Sequence, residues 1–399
     1  MITVSAKNFN TIISFFTIPF LLGLGIDLYT PSLPAIENYF QTGSANVQLT
    51  ISFYMLAFGV GQLFLGVLSD NIGRRKIILF SGLFFTIVSF LAAFSSNIYL
   101  LIFYRFLQGL GTAGLGVVIR AVAVDRFSGI DLVKAMTYIT ISWALGPIIG
   151  PFIGGYLQYY FNWQANFYFF GLYGLFIFIH SFFTLQEIQF IASSSNMVEI
   201  CRRIKNIVIH PVFLYGSILL GLTYALLVLF NVVGPFIIQN TLKYSAMAYG
   251  HMALLMGLGY FTGSLLNRFL IMHLQSRQII FFGIISGIFT SIVALFLGLL
   301  IKINLYIILI PVFIFLFLCG LIFPNMAAKV VSLFPKQAGT VNAVYGVFVA
   351  GGVFLMTIFA TILKTNTQIP MMLTYMGLFL LCVILFFVIY CKELCNKSK

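Results

Sequence analysis

Residues 13–35 read ISFFTIPFLLGLGIDLYTPSLPA, an apolar run in which Asp27 is the single charged residue. About 20 mostly apolar residues are the length that a helix needs to cross a bilayer. Eleven further runs follow, at roughly 47–68, 77–95, 99–121, 135–157, 164–185, 211–235, 247–270, 279–300, 305–327, 340–363 and 370–390. These runs are twice as long as the strands of a membrane barrel, so all are predicted to be helical. The fold class is therefore all-α, a polytopic membrane protein with twelve transmembrane helices.

The composition of the whole chain supports this fold class. Of 399 residues, 61% are apolar and 7% charged, and the mean hydropathy is +1.09. Soluble domains are about 45–50% apolar and about 25% charged, which excludes a soluble enzyme, a disordered chain and a disulfide-stapled secreted domain. The first run is too long for a cleavable signal peptide, and no small-residue cleavage site follows it. The five cysteines show no paired metal-binding spacing, so we expect no disulfide framework and no metal site.

The basic residues indicate the orientation. With the N-terminus inside, 16 of the 21 Lys and Arg residues fall on the inner side, three fall outside and two lie within spans. This distribution matches the excess of positive charge in cytoplasmic loops, so both termini are predicted to be cytoplasmic. The net charge of +13 therefore reflects topology, and no nucleic-acid partner is expected.

A polar stretch at 186–210 divides the chain almost in half. We predict a six-helix bundle at 1–185, a cytoplasmic linker at 186–210, a second six-helix bundle at 211–390 and a cytoplasmic tail at 391–399. Duplicated halves are typical of secondary transporters. A weak internal repeat supports this layout, because GVLSDNIGRRK at 66–76 is partly repeated by GSLLNRFL at 263–270.

Asp27 and Arg105 are charged residues inside predicted spans and are candidates for proton coupling. An ionised Asp at a helix centre costs about 2.5–3.5 kcal/mol, so Asp27 is the candidate proton-binding group; the alternative is a structural cap on a helix broken by prolines. Arg105 stays charged and lies at a similar depth, about 9–13 Å from the outer end of its helix. It can modulate the proton affinity of Asp27, or alternatively bond backbone carbonyls. Gln108 follows three residues later and can extend the polar network.

The fifth run has a face of small residues, with glycines at i, i+4 and i+8 and two prolines between them. Such a face allows close helix packing with local kinks. Its members are Gly146, Pro147, Gly150, Pro151, Gly154 and Gly155.

Several motifs together resemble those of the major facilitator superfamily, and within it the twelve-span drug:proton antiporters of the Bcr/CflA (bicyclomycin and chloramphenicol resistance) branch. Residues 66–76 are similar to the superfamily's loop signature, and Tyr104 to Gly111 to its span-four signature. The glycine and proline face resembles the antiporter signature that marks exporters. Asp27 to Pro34 resembles the Bcr/CflA opening.

This resemblance implies two bundles that rock around a central cavity in the inner membrane of a bacterium. It implies no cofactor, because the proton gradient drives transport. It implies a proton-coupling pair in Asp27 and Arg105, and a hinge in the glycine face. It also implies a cytoplasmic charge lock, formed by Asp70, Arg74, Arg75 and Asp125. Cavity candidates for a small lipophilic or cationic drug are the aromatic and amide residues Tyr29, Tyr54, Gln108, Tyr138, Trp143, Tyr224, Asn231 and Tyr345.

The predicted function is proton-coupled multidrug efflux by alternating access, by a monomer. A proton symporter that imports a metabolite is an alternative, against which the glycine and proline face argues. An exporter dedicated to one natural compound, such as a siderophore, fits the sequence equally well. A membrane enzyme is disfavoured because the four histidines are scattered, with no acid or nucleophile at helical spacing. A channel is disfavoured because no ring of like charges or filter motif occurs.

Overall fold

The computed structural model describes residues 6–185, 197–334 and 337–397. Every long element in these ranges is a helix, and no strand occurs among them. The helices are α1 (Ala6–Asp27), α2 (Leu33–Tyr39), α3 (Ser44–Ile72), α4 (Arg74–Ala93), α5 (Ile98–Arg126), α6 (Gly129–Tyr160), α7 (Gln164–Thr184), α8 (Met197–Ile209), α9 (Pro211–Pro235), α10 (Ala246–Leu270), α11 (Ser276–Leu300), α12 (Leu305–Ser332), α13 (Ala338–Ala360) and α14 (Ile369–Lys397).

Among the described residues, eleven helical segments are long and apolar enough to cross a membrane. The predicted eighth span, 247–270, corresponds to α10, a helix of 25 residues. It is absent from those eleven because its small and polar residues, with His251 and Arg268, make it less apolar. The chain is thus an all-α polytopic membrane protein, as the apolar runs predict.

Two compact units divide the chain, Met1–Ser194 and Ser195–Lys399. The same pattern of helix packing recurs inside each unit. In the first unit α1 packs on α6, α3 on α5, and α4 on both α5 and α7. In the second unit α9 packs on α13, α10 on α12, and α11 on both α12 and α14. Six long helices in each unit therefore follow one packing pattern, and the weak sequence repeat lies within that structural repeat.

Glycines bring backbones together at equivalent places in the two units. A Cβ added at Gly23 would lie 2.9 Å from Gly146 Cα, across the α1–α6 contact. A Cβ added at Gly352 would lie 2.7 Å from the carbonyl carbon of Gly221, across the α9–α13 contact. Small residues allow such approach between membrane helices, where packing rather than the hydrophobic effect drives association.

The structure shows the helix ends within three of the predicted segments. The first span is not one helix, because α1 ends at Asp27 and a 3₁₀ turn, Thr30–Ser32, precedes α2. Pro31 and Pro34 lack the N–H groups that a continuous helix needs. The predicted linker is helical at Met197–Ile209, where apolar and basic residues alternate in a helical period, while 186–196 lies outside the described residues. The predicted tail is largely a continuation of α14, which ends at Lys397.

Candidate functional site

Asp27 lies at the break in the first span. It is the last residue of α1, and its side chain is buried with 1% of its surface exposed. Its carbonyl oxygen accepts a hydrogen bond from Thr30 Oγ1 at 2.8 Å. The turn is tied to α7, because Asn166 Nδ2 donates to Ser32 Oγ at 2.8 Å. A carboxyl group is therefore buried at a helix C-terminus, whose carbonyls lack intrahelical partners.

Arg105 is fully buried on α5 and reaches the same break. Its Nη2 donates to the Gly25 carbonyl at 2.6 Å, and its Nη1 donates to Gln108 Oε1 at 2.9 Å. The Gly25 carbonyl belongs to the last turn of α1, where the helix dipole is negative. Arg105 thus bonds a backbone carbonyl, as one of the two sequence alternatives expected, and places its charge beside the segment that holds Asp27.

Two buried tyrosines enclose the guanidinium. The Arg105 guanidinium carbon lies 4.4 Å from the Tyr29 ring centroid and 4.2 Å from that of Tyr54. Desolvated cation–π pairs of this kind contribute about 2 kcal/mol each. The Tyr29 hydroxyl shares a 2.8 Å hydrogen bond with Thr50 Oγ1. Tyr29 follows Asp27 by two residues, so the acid, the guanidinium and the two rings lie in one buried cluster.

Gln108 links this unit to α4. Its Nε2 donates to Ser89 Oγ at 2.7 Å, and Ser89 Oγ donates to the Phe85 carbonyl at 2.6 Å. The sequence analysis missed Ser89, Thr50 and Gly25. No signal marked them, because isolated Ser and Gly residues are common in membrane helices, where they bond their own backbone or allow packing.

The glycine face of α6 packs on α1 across the break. A Cβ at Gly150 would lie 3.1 Å from the Leu28 nitrogen, and one at Gly154 would overlap the Leu28 carbonyl oxygen. Gly146 abuts Gly23 one turn earlier on each helix. Pro147 and Pro151 lie inside α6, and Gly155 is also buried. The predicted close-packing face therefore contacts the segment that carries Asp27.

Gly154→Ala is expected to destabilise the protein, because the rigid Leu28 carbonyl occupies the place of the new methyl group. Overpacking costs about 1–3 kcal/mol. Gly377→Ala, on α14 with nothing within 4 Å, is the matched control and should be neutral or stabilising by about 1 kcal/mol. The thermal unfolding midpoints of the two variants in detergent measure this difference. Equal midpoints would show that the α1–α6 contact is not tight.

Three of the four predicted charge-lock residues come together at one end of the first unit. Arg74 Nε donates to Asp125 Oδ2 at 3.0 Å, and Arg74 Nη1 donates to both Asp70 Oδ1 and Ser69 Oγ. Arg74 therefore bridges the end of α3 to the end of α5. Its side chain is only 11% exposed.

Arg75 does not join this cluster, which corrects its predicted role. Its Nη2 donates to the Phe182 carbonyl at 2.8 Å, and its guanidinium lies 5.4 Å from the Phe182 ring. Adjacent residues on a helix point about 100° apart, so Arg74 faces α5 while Arg75 faces the last turn of α7. Arg75 thus satisfies a C-terminal carbonyl of α7.

Arg74→Gln is expected to destabilise the protein by roughly 1 kcal/mol, which is what remains for these bonds after discounting for exposure. The glutamine leaves Asp70 and Asp125 to repel each other. Lys134→Gln is the matched control, because the exposed Lys134–Asp131 pair, 3.1 Å apart, lies elsewhere in the same unit. Thermal unfolding midpoints in detergent measure the effect. An equal loss in both variants would show that Arg74 has no special role.

The predicted cavity residues are distributed over both units. Tyr29, Tyr54 and Gln108 are buried around Arg105, whereas Tyr138 is 44% exposed on α6 and lies outside that cluster. The others are half-buried or buried: Trp143 on α6 in the first unit, and Tyr224, Asn231 and Tyr345 in the second unit.

In the second unit, the Tyr249 hydroxyl donates to Asn231 Oδ1 at 3.4 Å, and the rings of Tyr224 and Phe323 lie 6.2 Å apart. Across 6–185, 197–334 and 337–397, no group of three His, Cys, Asp or Glu side chains is placed to hold a metal ion.

A family model described as Major Facilitator Superfamily matches residues 15–357. An "Uncharacterized transporter" of Rickettsia bellii is 30% identical over 271 residues, 65% of each chain. The "Multidrug resistance protein MdtL" of a Shewanella species is 32% identical over 163 residues, 41% of each chain. A "Chloramphenicol resistance protein" of Pseudomonas aeruginosa is 30% identical over 176 residues, 42% of each chain. The chain thus matches less than two thirds of the length of these relatives.

Solved structures show the same fold. The crystal structure of a D-xylose-proton symporter superposes with a TM-score of 0.76 at 13% identity, covering 95% of this chain and 97% of that chain. The nucleoside transporter NupG superposes with a TM-score of 0.71 at 15% identity, covering 96% and 99%.

Proposed function

The chain belongs to the Major Facilitator Superfamily, and on that premise we propose that it is a proton-coupled exporter of small drug-like molecules that works by alternating access. One observation carries the proposal. Among the described residues, Asp27 is the only buried acid and Arg105 the only buried base. Buried ionisable groups in membrane spans are costly, and they mark ion or proton pathways.

Asp27 is proposed to carry the proton. It binds a proton while the site is open to the outside and releases it while the site is open to the cytoplasm. Arg105 keeps its charge throughout, so a change in its separation from Asp27 changes the stability of the carboxylate. The glycine face of α6 is proposed as the hinge, because it packs on both sides of the break at Asp27. Helix movement at this face is thereby coupled to the surroundings of the acid.

The driving force is adequate for export. One proton that moves down 100 mV yields about 2.3 kcal/mol, and one unit of pH adds about 1.4 kcal/mol. Together these support a substrate gradient of a few hundred-fold. No organic cofactor or metal is required by this scheme.

The orientation is proposed from the basic residues, with both termini in the cytoplasm of a bacterial cell and the chain in the inner membrane. The cluster of Asp70, Arg74 and Asp125 is then cytoplasmic. It is proposed as a lock, because a bridge between the ends of α3 and α5 holds one arrangement of the first unit. Separation of these helix ends requires the bridge to break.

Export of drugs is favoured by the names of the relatives, two of which are a multidrug and a chloramphenicol resistance protein. The assignment to the Bcr/CflA branch, and a role for the tyrosines and amides as substrate contacts in a monomer, belong to the same proposal. The second candidate is import by proton symport, because one matched structure is a D-xylose-proton symporter. An exporter dedicated to one metabolite uses the same mechanism as a drug exporter.

Inverted membrane vesicles decide between export and import. We expect ethidium or chloramphenicol to accumulate in energised inverted vesicles that contain the protein, and a protonophore to abolish the accumulation. Accumulation only in right-side-out vesicles would establish import. Unchanged accumulation with the protonophore would overturn proton coupling. A knockout compared by drug susceptibility and by metabolite profile separates drug efflux from export of one compound.

A further inference from the structure

The Arg105 guanidinium is held from two sides. On one side Nη2 donates to the Gly25 carbonyl of α1, and on the other Nη1 donates to Gln108 Oε1. The Arg105 Nε is buried and has no hydrogen-bond partner. The Tyr29 and Tyr54 rings enclose the guanidinium, and these two hydrogen bonds set its orientation against the rings. Gln108 is therefore important for where this charge lies.

Gln108 is itself held by Ser89, which lies on a different helix. An amide side chain has one accepting oxygen and one donating nitrogen. Because Oε1 accepts from Arg105, Nε2 must find an acceptor elsewhere, and Ser89 Oγ provides it at 2.7 Å. Ser89 remains an acceptor for Gln108 because its own hydrogen goes to the Phe85 carbonyl at 2.6 Å. The direction of every bond in this chain is thus determined.

We propose that Ser89 is a positioning residue for Arg105, and that it acts through the Gln108 amide to set the charge environment of Asp27. This inference rests on the proposed proton role of Asp27. Without Ser89 the buried Nε2 loses its acceptor, and the amide gains by rotating toward other groups. A rotated amide presents a donor to the guanidinium, which repels it. Arg105 then moves, and its charge stabilises the Asp27 carboxylate less than before.

In the described part of the first unit, the titratable groups placed around the Arg105 guanidinium are Tyr29 on the turn that follows Asp27 and Tyr54 on α3. The α6 side presents glycines. On α7, Tyr173 and His180 contact α1 at Thr17 and Ser14, ten or more residues before Asp27.

The test compares Ser89→Ala with Ser291→Ala. Ser291 is the matched control, because it is also buried and donates to the carbonyl four residues earlier on α11, the counterpart of α4 in the second unit. Thermal unfolding midpoints of purified full-length protein are measured from about pH 5 to about pH 9. Titration of a buried carboxyl makes this midpoint depend on pH. Asp27→Asn defines the part of the dependence that comes from Asp27.

We expect Ser89→Ala to displace the Asp27-dependent part of the profile toward higher pH by about one unit, a tenfold change in proton affinity. Ser291→Ala should leave the profile in place, and Ser89→Thr, which keeps the hydroxyl, should restore it. A profile for Ser89→Ala that coincides with that of Ser291→Ala overturns the inference. A profile for the unchanged protein that coincides with that of Asp27→Asn would instead overturn the proton role of Asp27.

Discussion

Asp27→Asn is expected to reduce the substrate gradient that the protein can maintain from a few hundred-fold to about onefold, because the energy of proton entry is no longer coupled to export. Asparagine has nearly the same size as aspartate and can accept hydrogen bonds, so the helix break should persist. Facilitated movement of substrate down its gradient should therefore survive. The measurement is the steady-state ratio of ethidium inside and outside inverted vesicles, with and without an imposed proton gradient.

Asp131→Asn is the control for this experiment. Asp131 pairs with Lys134 at an exposed position in the same unit. The substitution therefore removes one carboxylate and leaves Asp27 and Arg105 unchanged. It should keep the full gradient. A gradient that survives Asp27→Asn would assign the proton to another group.

Arg105→Lys is expected to lower the proton-driven transport rate by about tenfold to a hundredfold, equivalent to about 1.5–3 kcal/mol for lost charged hydrogen bonds. Lysine keeps the charge but is a compact ammonium without the planar fork. It cannot reach the Gly25 carbonyl and Gln108 Oε1 together while lying between two tyrosine rings. The rate of uptake in energised inverted vesicles, corrected for the amount of folded protein, checks this prediction.

Arg75→Lys is the matched control, because Arg75 is half-buried and donates to one carbonyl at the end of α7. A lysine can make that single bond, so the rate should change by less than about twofold. Equal losses of uptake rate in both variants would show that transport does not depend on the two hydrogen bonds of the Arg105 guanidinium.

The helical fold follows from the sequence because apolar runs of membrane length leave few other structures. The break after Asp27 is less readable. Prolines indicate a kink, but whether a helix continues through one depends on what satisfies the freed carbonyls. Here Thr30 satisfies the Asp27 carbonyl locally, whereas Arg105 satisfies the Gly25 carbonyl from another helix, and that second contact does not follow from local sequence.

The candidate site was readable where charge marked it. Asp27, Arg105 and Gln108 stand out because charged and amide groups are rare in these spans. The glycine face stands out by its four-residue period. Ser89 does not stand out in the sequence, because its proposed positioning role rests on a hydrogen bond to the Gln108 amide on another helix.

Tyr138 shows how little residue type alone indicates. Aromatic residues in membrane helices face lipid, protein or a cavity, and their type alone does not say which. Tyr138 lies two turns before Gly146 on α6, and its side chain is exposed. Arg75 was misassigned because adjacent basic residues look equivalent in sequence and diverge on a helix.

Proton release on substrate binding tests the proposed role of Asp27 most directly. Purified protein in weakly buffered detergent solution is mixed with ethidium at a pH where Asp27 is protonated, and a pH indicator reports protons released. We expect about one proton per bound substrate from the unchanged protein, and none from Asp27→Asn at equal substrate occupancy. Equal proton release from both proteins would contradict the proposal that Asp27 carries the coupled proton.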